Sequence, residues 1–494
     1  MQKVVWSSKW VFILAAIGAA AGLGNLWRFP YMVYENGGGA FLFAYLLILL
    51  VIGIPLVMME VAFGQKSQTE VVEAFGRVGK WFGRFVGWFL IAMLCALAGY
   101  YAVILGWGFD FLYLSPSLAW GADAQNYFHQ NVLHLTEDGS VWGGFSKPVL
   151  YGLVAAYLAV YFSIFKGLKS VGAVVKWTVP LPFLLLAILL VNTMSLEGAR
   201  EGFAYFFIPE WGKLTEVKVW RDALSQAFFS MNIGFALTVL YASFNKQKTN
   251  IVQSALWIAL GDVAVSVVAG FAMFGTLGWM SVNQGIPIEE VVQSGVTLAF
   301  VTFPTALALL PFGAKFFAVI FFLAILTLGI DSMFAVLETI SASIKRQFRW
   351  FGKFKNEVSI GIICAIFFCW SLAFAGGNGL YRLDIIDHFF FTKTFYFAAV
   401  AQLIMIGWLL PVDDLRQYIN TTSKFQLGRW FNALIKFFAP AVLIFLYIST
   451  LGENGEGNYG GYSDEMIFSW GILPVVIAVT VSFLLAFRSV PKEK

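Results

Sequence analysis

The sequence predicts an all-α polytopic membrane protein with about twelve transmembrane helices. Three observations carry that reading. Of 494 residues, 60% are hydrophobic and 12% charged, more apolar surface than a soluble chain of this length can hide. The apolar residues fall into about twelve runs of spanning length, centred near residues 22, 51, 97, 157, 183, 233, 266, 330, 366, 397, 442 and 476. The breaks between those runs hold most of the charge.

The breaks also sort by sign. One side receives Lys3 and Lys9, then Lys66, Arg77, Lys80 and Arg84, then Lys166 and Lys169. It continues with Lys246 and Lys248, the stretch Lys345 to Lys355, Arg416, Lys424 and Arg429, and the tail Arg488 to Lys494. The other side receives Asp123, Glu137 and Asp138, then Glu289 and Glu290, and a last loop, Glu453 to Glu465, with four acids and no base. The positive-inside rule places both termini in the cytoplasm of a cell-membrane protein, as an even helix count requires. The long outer segments 114–146 and 284–311 are candidate lids.

Enzyme chemistry finds no support. Cys95, Cys364 and Cys369 sit in apolar runs without metal-ligand spacing, so packing is their expected role. His129, His134 and His388 are scattered, and no Ser/His pair, paired catalytic aspartates or HExxH motif occurs. The net charge of +4 gives no case for nucleic acid. No cleavable signal peptide is expected, because the opening run contains polar breaks and reaches Arg28.

The first and sixth runs are anomalous. GAAAGLGNLWRFPY, Gly18 to Tyr31, places Gly18, Gly22 and Gly24 where a spanning helix should be strongest, and adds Asn25, Arg28 and Pro30. Backbone freed at membrane depth is tolerated only around a buried cavity, where its carbonyls and amides bind ions and polar groups. AFFSMNIGFALTVLYASF, Ala227 to Phe244, carries Ser230, Asn232 and Gly234 at its centre. Interrupted helices at matching positions point to inverted repeats over 1–194 and 221–410, with 430–488 as two final helices, all in one domain 1–494.

GLGNLWRFPY followed by ENGGGAF (Glu35 to Phe41), together with LTLGIDS (Leu326 to Ser332), resembles the neurotransmitter:sodium symporter family over essentially the whole chain. The resemblance implies the leucine-transporter fold and uptake of a small neutral amino acid coupled to sodium entry by alternating access. It implies two sodium sites. The first would use the carbonyl of Ala20, Asn25, Ser230, Asp262 and the substrate's carboxylate. The second would use the carbonyls of Gly18, Ala21 and Leu328 with Asp331 and Ser332. Interhelical hydrogen bonding is the other reading of Asn25 and Ser230, and the adjacent breaks favour sodium. Asp262 and Asp331 lie in apolar runs, where a carboxylate costs about 2.5–3.5 kcal/mol. A bound cation accounts for that cost better than a neutral, protonated acid does.

By the same resemblance, Tyr101 and the amides of Leu23 and Gly24 would hold the substrate's carboxylate, and Phe229 would be the lid. Ala20, Ser230 and Ser332 would border the substrate, and Leu97, Asn232, Phe235, Met333 and Val336 would line its side-chain pocket. Arg28 and Asp387 would form the outer gate. Gly172 and Pro182 mark either local unwinding or a simple kink. Tyr45, Gln226, Ser230 and Ser266 match the chloride site of animal relatives, where an asparagine replaces Asp262. Transport is therefore expected to need no chloride, with Asp262 a candidate proton carrier on the return step. The inner gate departs from the family pattern. Lys3 and Trp6 match it, but Arg346 stands where an acid is expected and Phe244, facing the position of Glu338, where a tyrosine is expected. A proton-coupled, sodium-independent permease of the same fold is the alternative function.

Overall fold

The computed structural model describes residues 5–292, 295–451 and 458–488. Among these no strand forms, only isolated bridges at Gly38–Pro209 and Phe145–Gly376. Ser8 starts α1 (Lys9–Ala20) by accepting a hydrogen bond from the Val11 amide at 3.3 Å. It is followed by α2 (Leu23–Glu35), bent 56° away. Next come α3 (Gly39–Ser67), α4 (Val71–Leu114), α5 (Lys147–Ile164) and α6 (Leu168–Thr193). A second interrupted pair follows, α7 (Val217–Ser230) and α8 (Leu237–Ser243). The remaining helices are α9 (Ile251–Gln284), α10 (Ala314–Gln347), α11 (Asn356–Phe374), α12 (Gly379–Leu409), α13 (Trp430–Thr450) and α14 (Asp464–Ala486).

Among the described residues ten helices are long and apolar enough to cross a membrane, and the pair α1–α2 makes an eleventh crossing. The twelfth expected run is α7–α8, whose pieces of 14 and 7 residues are each too short to span alone. The molecule is thus an all-helical, multi-pass membrane protein.

Packing places α1–α2 and α7–α8 inside the bundle, among α3, α4, α9 and α10. Small residues allow the close approaches. A Cβ on Gly152 would lie 2.2 Å from the Gly106 carbonyl oxygen, so α4 and α5 meet backbone to backbone. At its start α4 turns sharply at Gly79–Lys80, with Lys80 in the left-handed region (φ +50). The turn folds Phe75 back against Gly83, and Val71 and Val72 back against Gly87.

The two long segments expected as lids pack together. The Trp120 indole donates to the Pro304 carbonyl at 2.8 Å, and Phe128 stacks on Phe300 at 5.5 Å. Phe111 and Phe322, from α4 and α10, complete this aromatic cap. Cys364 is buried as expected of a packing residue, whereas Cys369 is exposed on its helix.

Candidate functional site

Each helix break has a local cause. The first lies at Ala21 (φ −73, ψ +82) and Gly22, which is extended, so α1 stops and α2 restarts. The Gly22 amide is held by the Ala20 carbonyl at 2.9 Å and the Asn25 side-chain oxygen at 3.1 Å. The second break has three left-handed residues within five, Asn232 (φ +51), Gly234 (φ +89) and Ala236 (φ +64), which no helix accommodates. The breaks touch: the Asn232 side-chain amide donates to the Ala19 carbonyl at 2.5 Å. Glu60, fully buried on α3, accepts from the Gly234 amide at 2.8 Å and from Gln402 at 2.5 Å.

Around the first break stands a buried polar cluster. Asn25 Nδ2 lies 2.6 Å from Asp262 Oδ1, 2.8 Å from Ser266 Oγ and 3.3 Å from Ser230 Oγ. Ser230 Oγ donates to Asp262 Oδ2 at 2.5 Å. The sequence reading's first sodium group, Asn25, Ser230 and Asp262, is therefore one hydrogen-bonded unit, with the Ala20 carbonyl beside it on the Gly22 amide. Of the chloride-like residues, Ser230 and Ser266 touch this unit and Tyr45 is buried beside it. Gln226 instead turns its carbonyl to Arg28, and its side-chain amide is buried without a partner.

A second cluster joins α1 to α10. The Ser332 hydroxyl lies 3.3 Å from the Gly18 carbonyl oxygen, 3.2 Å from that of Ala19 and 3.4 Å from that of Leu328. Asp331 is buried, with Oδ1 unpartnered. A Cβ on Gly18 would stand 2.7 Å from Asp331 Oδ2, so the glycine makes room for the carboxylate. Gly18, Leu328, Asp331 and Ser332 are together, and Ala21 stands in the bend.

The breaks enclose a cavity of about 70 Å³. Ala20, Leu23, Gly24, Leu97, Tyr101, Phe229, Ser230, Asn232, Phe235, Ser332 and Val336 all line it. The Tyr101 hydroxyl is buried without a hydrogen-bond partner. The Leu23 and Gly24 amides, first in α2, have no carbonyl of their own helix to bond. Met333, expected in the pocket, is buried but lies outside this lining. The Asn232 side-chain NH2 is directed to Ala19, which leaves only its carbonyl oxygen for a polar substrate tip. The lining residues missed from the sequence are Ala19 and Leu237. Glu60 was also missed, although it breaks an apolar run just as Asp262 and Asp331 do.

Above the cavity a vestibule of about 640 Å³ shares Leu23, Gly24, Leu97, Tyr101 and Phe229 with it. The expected gate pair is separate. Arg28 donates to Gln226 and Ser225, both at 3.0 Å, and lies 4.9 Å from the Phe229 ring centre, while Asp387 accepts from Tyr100. Gly172 and Pro182 show no unwinding. α6 runs through both, and a Cβ on Gly172 would meet Val11 on α1 at 3.0 Å.

The opposite end is closed by Trp6. Its indole donates to the Tyr241 carbonyl at 2.8 Å, its amide donates to the Phe244 carbonyl at 3.1 Å, and its ring meets both side chains edge-on. Phe244 thus acts through its ring and backbone where a tyrosine hydroxyl was expected. Glu338 is buried with Oε2 unpartnered. Lys3 lies outside the described residues.

The model of the sodium:neurotransmitter symporter family matches residues 3–126 and 121–491. A sodium-dependent transporter of Methanocaldococcus jannaschii, itself uncharacterized, is 37% identical over 97% of both chains. The sodium- and chloride-dependent glycine transporter 2 of Xenopus laevis is 29% identical, covering 98% of this chain and 69% of its own. The human sodium- and chloride-dependent creatine transporter 1 is 30% identical over 90% of this chain and 76% of its own. With a family match along nearly its whole length, and with two broken helices meeting at a polar cavity, the chain belongs to the sodium:neurotransmitter symporter family.

Proposed function

We propose that this protein couples sodium entry to uptake of a small neutral amino acid by alternating access, using two sodium sites and no chloride. Both termini face the cytoplasm of the cell membrane, and 1–194 and 221–410 are inverted repeats. The observation that carries this reading is the convergence of both breaks on one buried cavity that holds the Tyr101 hydroxyl. A substrate carboxylate would accept from Tyr101 and from the start of α2, where exposed amides and the helix dipole favour an anion. Gly22 supports the same choice, because it has no side chain and so leaves the space beside Ser332 and the Tyr101 hydroxyl to the substrate's own carboxylate. Leu97, Phe229, Phe235 and Val336 suit an apolar side chain. Hard cations take oxygen ligands, which Asn25, Ser230 and Asp262 offer on one side and Gly18, Leu328, Asp331 and Ser332 on the other.

Asp262 supports chloride independence. Its carboxylate supplies a negative charge within the residues that match the chloride site. A chloride about 4 Å away would be opposed by about 4 kcal/mol at an effective dielectric of 20. Uptake in proteoliposomes with and without sodium, and with gluconate replacing chloride, tests the proposal. Sodium should be required and gluconate without effect; sodium-indifferent uptake refutes the coupling. Asp331→Ala should raise the sodium concentration needed, and Asn25→Ala should weaken sodium and substrate together. Asp262→Asn should create a chloride requirement, and an active variant indifferent to chloride refutes the role given to Asp262.

A further inference from the structure

We propose that the loop joining α10 to α11 is a binding surface for acidic phospholipid headgroups. The loop is FRWFGKFK, Phe348 to Lys355, with four aromatic and three basic residues in eight. It lies just beyond the end of a spanning helix. Phe351 is buried and anchors it, with the Trp350 ring 5.5 Å away and the Phe354 ring 6.0 Å away. Those two neighbours point outward, Trp350 61% and Phe354 42% exposed. Exposed rings at the end of a span sit at headgroup depth, where their apolar faces contact acyl chains. Lys353 and Lys355 are exposed beside them.

A second loop is tied to the first. Asn356 accepts from Lys345 Nζ at 2.6 Å and donates to the carbonyls of Ile164 at 3.3 Å and Phe165 at 3.1 Å. These bonds bring the α5–α6 loop and the first turn of α6, with exposed Lys166 and Lys169, alongside. From Lys345 to Glu357 the only acid is Glu357. Four exposed lysines from these two segments thus border an aromatic shelf. That is the charge complement of a phosphate headgroup whose acyl chains lie beside the rings.

The test uses the full-length protein in nanodiscs, with spin-labelled phosphatidylglycerol and phosphatidylcholine as probes. Both leaflets of a nanodisc share one composition, so the result does not depend on which side the loop faces. The wild type should retain phosphatidylglycerol several-fold over phosphatidylcholine, less so at high salt. Replacing Lys166, Lys169, Lys353 and Lys355 by Gln should bring the ratio close to one, with an unchanged thermal unfolding midpoint showing that the fold is intact. If that variant does not fold, Trp350→Ala with Phe354→Ala should lower the ratio instead. Replacing Lys246 and Lys248, exposed in another basic break, should leave it unchanged. Equal retention of the two lipids by the wild type overturns the proposal, as does a preference that survives in the lysine and aromatic variants. An equal loss in the Lys246/Lys248 variant would mean a diffuse charge effect and also overturns it. Suppression by soluble glycerol phosphate at constant ionic strength would mark a site for free phosphate and does the same.

Discussion

Tyr101 and Gly18 show how single atoms shape the site. The Tyr101 hydroxyl reaches the cavity with Ser332 and the Leu23 amide as its polar neighbours. Tyr101→Phe should therefore leave the fold intact and remove a hydrogen bond to a charged group, about 1.5–3 kcal/mol, or roughly ten- to a hundred-fold in affinity. Equilibrium binding of amino acids at saturating sodium measures this, and unchanged affinity would put the carboxylate elsewhere. Gly18 acts through the atom it lacks. A methyl there would stand 2.7 Å from Asp331 Oδ2 and 2.9 Å from Val179 Cγ2. Gly18→Ala should displace the carboxylate and raise the sodium concentration for half-maximal binding severalfold. A sodium titration identical to wild type would show that Asp331 can shift without loss.

At the scale of elements, the two breaks are held from different sides. Asn232 ties the second break to the first, and Glu60 ties it to α3 and, through Gln402, to α12. A movement of α1 relative to α8 must break the Trp6 contacts, which bind the chain before α1 to the Tyr241 and Phe244 carbonyls. Trp6→Ala removes the indole hydrogen bond and both ring contacts, a change of about 3–5 kcal/mol for a buried Trp. The inner end should then open more often. Hydrogen exchange in Leu237–Ser243 should speed up, and unchanged protection there would show that other contacts hold the inner end closed.

At the scale of the whole molecule, the vestibule is open at one end while Trp6 closes the other, which is the geometry of access from one side. The fold also carries a pH dependence outside the spans. Glu70, before α4, accepts from the amides of Val72 at 2.7 Å and Glu73 at 2.9 Å and from Gln347 at 2.8 Å. Burial nevertheless pushes its pKa up to about 7 from an ordinary 4.5. The folded chain therefore holds this proton more tightly than the unfolded chain. The contribution to stability is greatest below pH about 4.5, falls as pH rises to about 7 and is flat above, a change of up to roughly 3 kcal/mol. Thermal unfolding in detergent should show this decline in the wild type. Glu70→Gln, which cannot ionise, should lack that part of it. Identical pH profiles for the two proteins would count against the assignment.

Local chemistry explains what could be read from the chain alone. Span positions follow from hydropathy. Both breaks follow from glycine and polar residues at membrane depth, where a helix interruption has few alternatives. Asp262 and Asp331 stood out because a carboxylate in an apolar run needs a partner, and Glu60 meets the same criterion. Family motifs placed Gly18, Asn25, Tyr101 and Ser230, residues that carry no periodic signal. Distances between elements far apart in sequence belong to tertiary structure alone. Asn232 reaches Ala19 across 213 positions, Trp6 reaches Tyr241 across 235, and Asn356 gathers a loop 191 residues away. Hydropathy decides which segments enter the membrane. Which polar groups then meet depends on how closely the helices approach, and that is decided by glycine contacts and side-chain packing throughout the bundle.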